Sequence, residues 1–222
     1  MIIHHPSDDL IAAYAAGSLD EANSLALATH LTLCPQCRHA YAGFEALGGT
    51  MVEEMELAPM KADALLATLG RARSDTTIVA ERRPAVKSPV AKSGQAPLFP
   101  MPLQFYVGGD LDAAKWKTLG PGIQHMPLIS TDGVTARLLR IAPGQAVFEH
   151  SHQGNELTLV LRGSYTAGGD RYARGDLEMA DAEINHRPVA GSEDVCVCLA
   201  VTDAPLRFGN WLGRLMQPFI GI

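Results

Sequence analysis

The sequence predicts an α + β chain in two unlike parts: a small module of about four helices over residues 1–73 and an all-β barrel or jelly roll over residues 103–222. Three observations carry this. Apolar residues recur at helical spacing through the first third of the chain. From Ser74 to Pro102, the prolines Pro84, Pro89, Pro97, Pro100 and Pro102 interrupt a polar, basic run, which disfavours helix and central strand alike. Residues 74–102 therefore read as a linker that lets the two parts fold independently, with few core contacts crossing it. After about Leu103 the pattern shortens to β-rich runs separated by turn signals.

In the helical part, Ser7-Asp8-Asp9 is an N-cap with acidic first-turn residues, followed by Leu10, Ile11, Tyr14 and Ala15 and closed by Gly17. Ser18-Leu19-Asp20-Glu21 reads as a capping box opening a second helix that carries Ala22, Leu25, Ala26 and Thr29. A third helix begins near Pro35, aligns Cys37, Tyr41, Phe44 and Leu47, and is expected to stop at Gly48-Gly49. A fourth covers about Met60 to Leu69, with Met51–Met60 open between loop and a further turn. In the β part the runs are Ala136–Ile141, Glu156–Leu161, Ser164–Ala167, Leu177–Ala180 and Val195–Val201. Pro143-Gly144, Gly168-Gly169-Asp170 and Gly175-Asp176 mark turns between them. Many short, evenly spaced strands indicate the barrel or jelly roll.

Charge bounds the function. The chain has 222 residues and a formal net charge of −6, which argues against nucleic acid as a partner. Residues 1–70 hold nine Asp/Glu against Arg38 and Lys61, whereas residues 71–102 hold six Lys/Arg against Asp75 and Glu81. An acidic helical module suits a basic protein partner. No run approaches ~18 apolar residues, so no membrane span is expected. The start lacks the pattern of a secretory signal, and Cys34/Cys37 with Cys196/Cys198 form two local pairs, a usage that fits a reducing cytoplasm.

The most informative motif is His30-x3-Cys34-x2-Cys37. Positions i and i+4 share a helix face, so a helix ending near Leu33 stacks His30 beside Cys34. The step to Cys37 then turns through Pro35, which suits the first position of a following helix. Two thiolates and an imidazole at a helix–helix corner suit Zn²⁺, which takes four N/S ligands in a tetrahedron. The fourth donor comes from elsewhere, His5 or His4. A thioredoxin-type redox site would open a helix in a βαβ context, and none surrounds this motif.

A second constellation lies in the β part: Gly144-x5-His150-x-His152-x3-Glu156-x6-Gly163. Residues two apart on a strand share a face, so His150 and His152 point together into the barrel, and Glu156 returns there after Gly154-Asn155. His186, downstream of Gly175-Asp176, closes a three-histidine, one-carboxylate set that suits Zn, Mn, Fe or Ni.

This spacing matches the first cupin motif at every defined position. Gly175 and His186 keep the interval of the second, with Asp181 and Glu183 in place of its internal Pro and Gly and Ala190 in place of its Asn. Over essentially its full length the chain resembles the ChrR-type zinc anti-sigma factors. The resemblance implies a zinc-bound helical domain that clamps an extracytoplasmic-function-type sigma factor in a 1:1 complex. It also implies a C-terminal cupin (double-stranded β-helix) domain with its own zinc, needed for release under oxidative stress such as singlet oxygen. The ligands carry over as His5, His30, Cys34 and Cys37, and as His150, His152, Glu156 and His186.

Other residues read more plainly. Cys196 and Cys198 share one face of an apolar strand and are expected in the core rather than in redox chemistry. His39 and His125 are expected to be solvated, Trp116 and Trp211 to pack, Glu53-Glu54-Met55-Glu56 to form a solvated face, and the tail from Arg207 to Ile222 to pack on the barrel. The function is expected to be regulatory, with no catalytic residues. The competing reading is a cupin metalloenzyme, a dioxygenase or isomerase with an accessory zinc domain.

Overall fold

Ser7 opens α1 (Asp8–Ala15) by accepting from the Leu10 amide, and Asp8 and Asp9 set negative charge against the positive end of the helix dipole. The computed structural model describes residues 1–74, 96–147, 150–151, 154–181, 187–204 and 207–208. The second helix, α2 (Glu21–Leu33), is capped by Asp20, whose carboxylate accepts from the Asn23 amide at 2.9 Å. Ser18, the expected cap, instead donates its hydroxyl to the Ala13 carbonyl and closes α1. The third, α3 (Pro35–Glu53), runs straight through Gly48-Gly49 rather than stopping there. Each glycine costs about 1 kcal/mol against alanine in a helix, too little to end one that continues on both sides. The fourth, α4 (Ala64–Ser74), starts and ends later than expected and has no buried residue.

Most of the expected linker, residues 75–95, lies outside the described residues. Its last stretch is core. Phe99 has no exposed surface, and its amide and that of Leu98 both donate to Asp110 at 2.8 Å. Pro100 and Pro102, taken as breakers, sit at the N-terminus of α5 (Met101–Val107), where a missing N–H costs nothing. Gln104 donates to the Phe99 carbonyl and Tyr106 to Glu21 of α2, so this short helix is strapped to both neighbours.

The strands are β1 (Lys117–Gly120), β2 (Ile123–Thr131), β3 (Val134–Ile141), β4 (His150–Ser151), β5 (Glu156–Arg162), β6 (Ser164–Ala167), β7 (Asp170–Ala173), β8 (Leu177–Ala180), β9 (Val189–Ala190), β10 (Cys196–Thr202) and β11 (Arg207–Phe208). An antiparallel six-stranded sheet runs β1-β2-β3-β10-β5-β8, with β7-β6-β9 and β11-β4 as smaller partners, the layout of a cupin. The sequence reading lacks β2 because Pro127 lies within it. The strand accommodates the missing donor through a register shift between Pro127 and Ile129. Residue His125 is accordingly buried in β2, not solvated in a loop. At Gly163 (φ +67°) any Cβ would stand 2.5 Å from the Val195 carbonyl oxygen, so the β5–β6 turn demands glycine.

The sheet has two buried faces. One carries Leu138, Leu157, Leu159, Leu161, Leu199 and Val201 and packs with Phe99 and Leu103 and with Leu25, Leu27 and Leu31 of α2 in one continuous core. The other carries Ile123, Ile141, Val160, Cys196 and Cys198 and closes over Tyr165. Because α2 rests on α3 on one side and on β3, β5 and β10 on the other, it is buried nearly all round. The expectation that few core contacts cross between the parts is therefore corrected: helices and sheet share a core. Phe99→Ala should cost about 3–5 kcal/mol. Helical circular dichroism and Trp116 fluorescence should still be lost in a single urea transition at a lower midpoint, where independent parts would give two.

Candidate metal centre

Four side chains from three places converge beneath the sheet edge. His30 ends α2, Cys34 is at once the C-cap of α2 and the N-cap of α3, and Cys37 sits in the first turn of α3. The Cys37 amide donates to Cys34 Sγ, which fixes the knuckle. His5 arrives from the extended N-terminal segment. Its Nδ1 is 3.4 Å from Cys34 Sγ and 3.3 Å from Cys37 Sγ, and His30 Nε2 is 3.3 Å from Cys37 Sγ. All four donor atoms lie within 4.8 Å of one another. Bonds of about 2.3 Å to sulfur and 2.0–2.1 Å to nitrogen in a tetrahedron separate S from N by about 3.6 Å, so the set is already close to zinc geometry. The chemistry of the donors fits as well.

Burial above all, with the neighbouring His5, lowers the His30 pKa to about 4, against the opposing pull of the Gly175 backbone and Asp176. The ring is thus neutral at physiological pH, the form that ligates. Burial, and then Cys34, push the Cys37 thiol up to about 12. A metal-free pocket this dry keeps that proton, and a divalent cation is what would remove it. His4, the other candidate donor, turns away. Its ring packs at a tilt of 38° on Tyr172 with centroids 4.3 Å apart, and its Nδ1 lies 3.7 Å from Asp176 Oδ2.

Of the second constellation, Glu156 opens β5 and is buried, accepting from the Thr158 hydroxyl at 3.2 Å. His150 lies in β4, paired with Phe208 of β11, while His152 and His186 lie outside the described residues. Around Glu156 the inner sheet face is more polar than the sequence reading anticipated. Thr158 pairs with Glu178 across β8 and with Ala200 of β10, which in turn pairs with Arg137 of β3. Tyr165 donates to Glu178 Oε2 at 2.6 Å, and His125 is buried on the same face, its pKa lowered first by burial and then by Arg137 and Lys117. The signal for these residues was the alternation Ala136-Arg137-Leu138, a charged residue at an inward position. Cys196 and Cys198 are fully in the core, as expected, and their mutual hydrogen bond followed by burial raises the Cys198 pKa. His39 is exposed, as expected, and Trp211 lies outside the described residues.

Comparison with known proteins agrees with this layout. A zinc-finger family model matches residues 7–38, and the ChrR cupin-like domain matches residues 106–205. The anti-sigma-E factor ChrR of Cereibacter sphaeroides is 42% identical over 221 residues, covering 100% of this chain and 99% of that protein. The chain belongs to the ChrR anti-sigma family. The crystal structure of Rhodobacter sphaeroides SigE in complex with the anti-sigma ChrR aligns with a TM-score of 0.76 at 40% identity, covering 91% of this chain and 99% of that one. Helices followed by a cupin sheet are thus the family's architecture.

Zinc loading must displace at least the Cys37 proton, so apparent affinity should rise with pH. The expected slope is about tenfold per pH unit for each proton displaced, read by chelator competition at about pH 6.5 and about pH 7.5. Cys34→Ser with Cys37→Ser should lose one equivalent of zinc by metal analysis. His5→Ala should weaken that site, and His4→Ala should weaken it far less.

Proposed function

We propose that this chain is an anti-sigma factor that sequesters an extracytoplasmic-function-type sigma factor through its helical part. On this reading zinc is held by His5, His30, Cys34 and Cys37, and a second zinc or other divalent metal by His150, His152, Glu156 and His186. Release follows oxidative stress, singlet oxygen among its forms, and depends on the cupin part. The protein works in the cytoplasm, where its partner meets RNA polymerase. No described helix is long and apolar enough to cross a membrane.

The observation that carries the reading, beside full-length kinship with ChrR, is a run of apolar side chains that the described residues leave uncovered. Leu47, Met51 and Val52 of α3, then Met55, Leu57 and Met60, then Leu65 and Leu66 of α4 are all more than half exposed. Large apolar side chains exposed in such number mark a protein–protein contact, and methionine adapts its shape to a partner. Exposed Glu53, Glu54, Glu56 and Asp63 border it. A partner with an apolar patch ringed by basic residues matches this surface, and a DNA backbone does not. The buried zinc corner would hold α3 rigid against α2 while the α3–α4 arm reaches outward.

Leu65→Asp with Leu69→Asp should weaken sigma-factor capture at least about thirtyfold, since buried interface anchors carry 2 kcal/mol or more, and should leave the unfolding midpoint unchanged. Coexpression pull-down and calorimetry check this. His150→Ala or Glu156→Ala should leave repression intact in a reporter strain and block induction by singlet oxygen. A variant that stays fully inducible removes the cupin metal from the release step. Turnover of a small substrate by the purified protein would favour the metalloenzyme reading of the barrel.

A further inference from the structure

The zinc ligand His5 belongs to a segment that no helix holds. What holds it is the cupin sheet. The turn leading into β8 carries Asp176, which is almost fully buried. One of its carboxylate oxygens accepts from the amides of Ile3 at 2.7 Å and His4 at 3.0 Å, and the other from the Ala173 amide at 2.8 Å. The Leu177 amide returns a bond to the His4 carbonyl at 3.1 Å, so residues 3 and 4 are tied to the start of β8 by backbone as well as by the Asp176 side chain. Next door, Gly175 (φ +93°) leaves room for Ile2, whose Cδ1 would lie 2.5 Å from any Cβ there. The His4 ring completes the seat by packing at a tilt on Tyr172, which stacks on Tyr165 at 5.1 Å, and Tyr165 reaches Glu178 on the inner barrel face.

We propose that Asp176 is a positioning residue for the zinc site: its carboxylate clamps the Ile3–His4 backbone and so sets where His5 meets the metal. The inference rests on the zinc reading above and adds the element of the cupin that the site depends on. The physical reason is entropic. A free N-terminal segment delivers a ligand only after the ordering of several residues, at about 1–2 kcal/mol of backbone entropy each. Charge-assisted bonds from one buried carboxylate to two successive amides supply that order in advance. The same turn starts the strand that leads in sequence toward His186, so displacement of β8 moves the peptide bearing His5. The barrel and the zinc corner thus share one mechanical element, and their states are coupled through it.

The test uses zinc-loaded full-length protein and follows zinc loss to a chromophoric chelator. Asp176→Asn, which keeps shape but offers an amide group where an acceptor is needed, should speed loss of the Cys34/Cys37-dependent zinc about tenfold, as outer-shell changes do. His5→Ala should speed it more, and the double variant should be no faster than His5→Ala alone, because Asp176 acts only through the ligand already removed. A rate within about twofold of the parent, or additive effects in the double variant, overturns the proposal. Leu199→Ala, which opens a cavity in the shared core, should lower the unfolding midpoint while leaving zinc loss within about twofold of the parent. Loss as fast as with Asp176→Asn would mean that general destabilisation explains both, and the proposal falls. If Asp176→Asn does not fold, Ile3→Pro decides in the same way, because it deletes one donor to Asp176 at a residue whose side chain is 63% exposed. A parent that holds no thiolate-dependent zinc overturns the metal reading itself, a failure visible before any variant is compared.

Discussion

Everything in this molecule depends on α2 being packed on opposite faces. One face of the helix meets α1 and α3, and the opposite face lies on β3, β5 and β10. Ala26, Leu27, Thr29 and His30 consequently have no exposed surface. A surface helix buries one stripe; this one is buried like a core segment, and its burial joins two classes of structure into a single hydrophobic unit. His30 inherits its chemistry from that position. It is a metal-type donor kept neutral because the surrounding helix is dry. The Thr29 hydroxyl, in the same environment, satisfies itself on the Leu25 carbonyl at 2.7 Å.

The arrangement also divides labour between rigid and exposed parts. Up to Cys34 both helices are capped, α2 is packed on the sheet, and Ile3 and His4 are hydrogen-bonded to the turn before β8. From Leu47 onward the apolar side chains face solvent, and α4 buries nothing. Such an arm has little to lose in packing and much apolar surface to gain when a partner covers it. An inhibitor built this way can grip with its loosest element while its anchor stays folded. The barrel underneath has a different character, with carboxylates, Tyr165 and buried thiols on a face whose apolar cluster, among the described residues, is made of strand and turn residues.

Asp176 ties the sheet to the segment that carries His5. It is a surface-type residue at 1% exposure, retained in the fold because three backbone amides need its acceptors. Burial alone would raise its pKa, but the amides of Ala173, His4 and Ile3, with the His4 ring, bring it below the ordinary value. A carboxylate stabilised by so many fixed donors is a preformed clamp, not a solvated charge that was trapped.

Much was legible in the sequence because it depends on short spacings. The helix bearing His30 and Cys34, the knuckle through Pro35 to Cys37, and the strands around Glu156, Leu177 and Cys196 follow from local periodicity and turn chemistry, which act within a few residues. Resemblance to a family then favoured His5 over His4, which spacing alone left open. Local signals misled where a neighbour in space supplied what the chain lacked. Pro127 sits in a strand because the ladder shifts around it, and Pro100 and Pro102 start a helix because Phe99 and Leu103 have a core to enter. Gly48-Gly49 fails to stop α3, since nothing there rewards stopping. Only the tertiary structure decided that helices and sheet share one core, that His4 turns to Tyr172 while His5 meets the thiols, and that Asp176 holds the Ile3 and His4 amides. The bonds to Asp176 join residues 172 and 173 positions apart, and no local pattern encodes a pairing whose energy exists only after the chain has closed on itself.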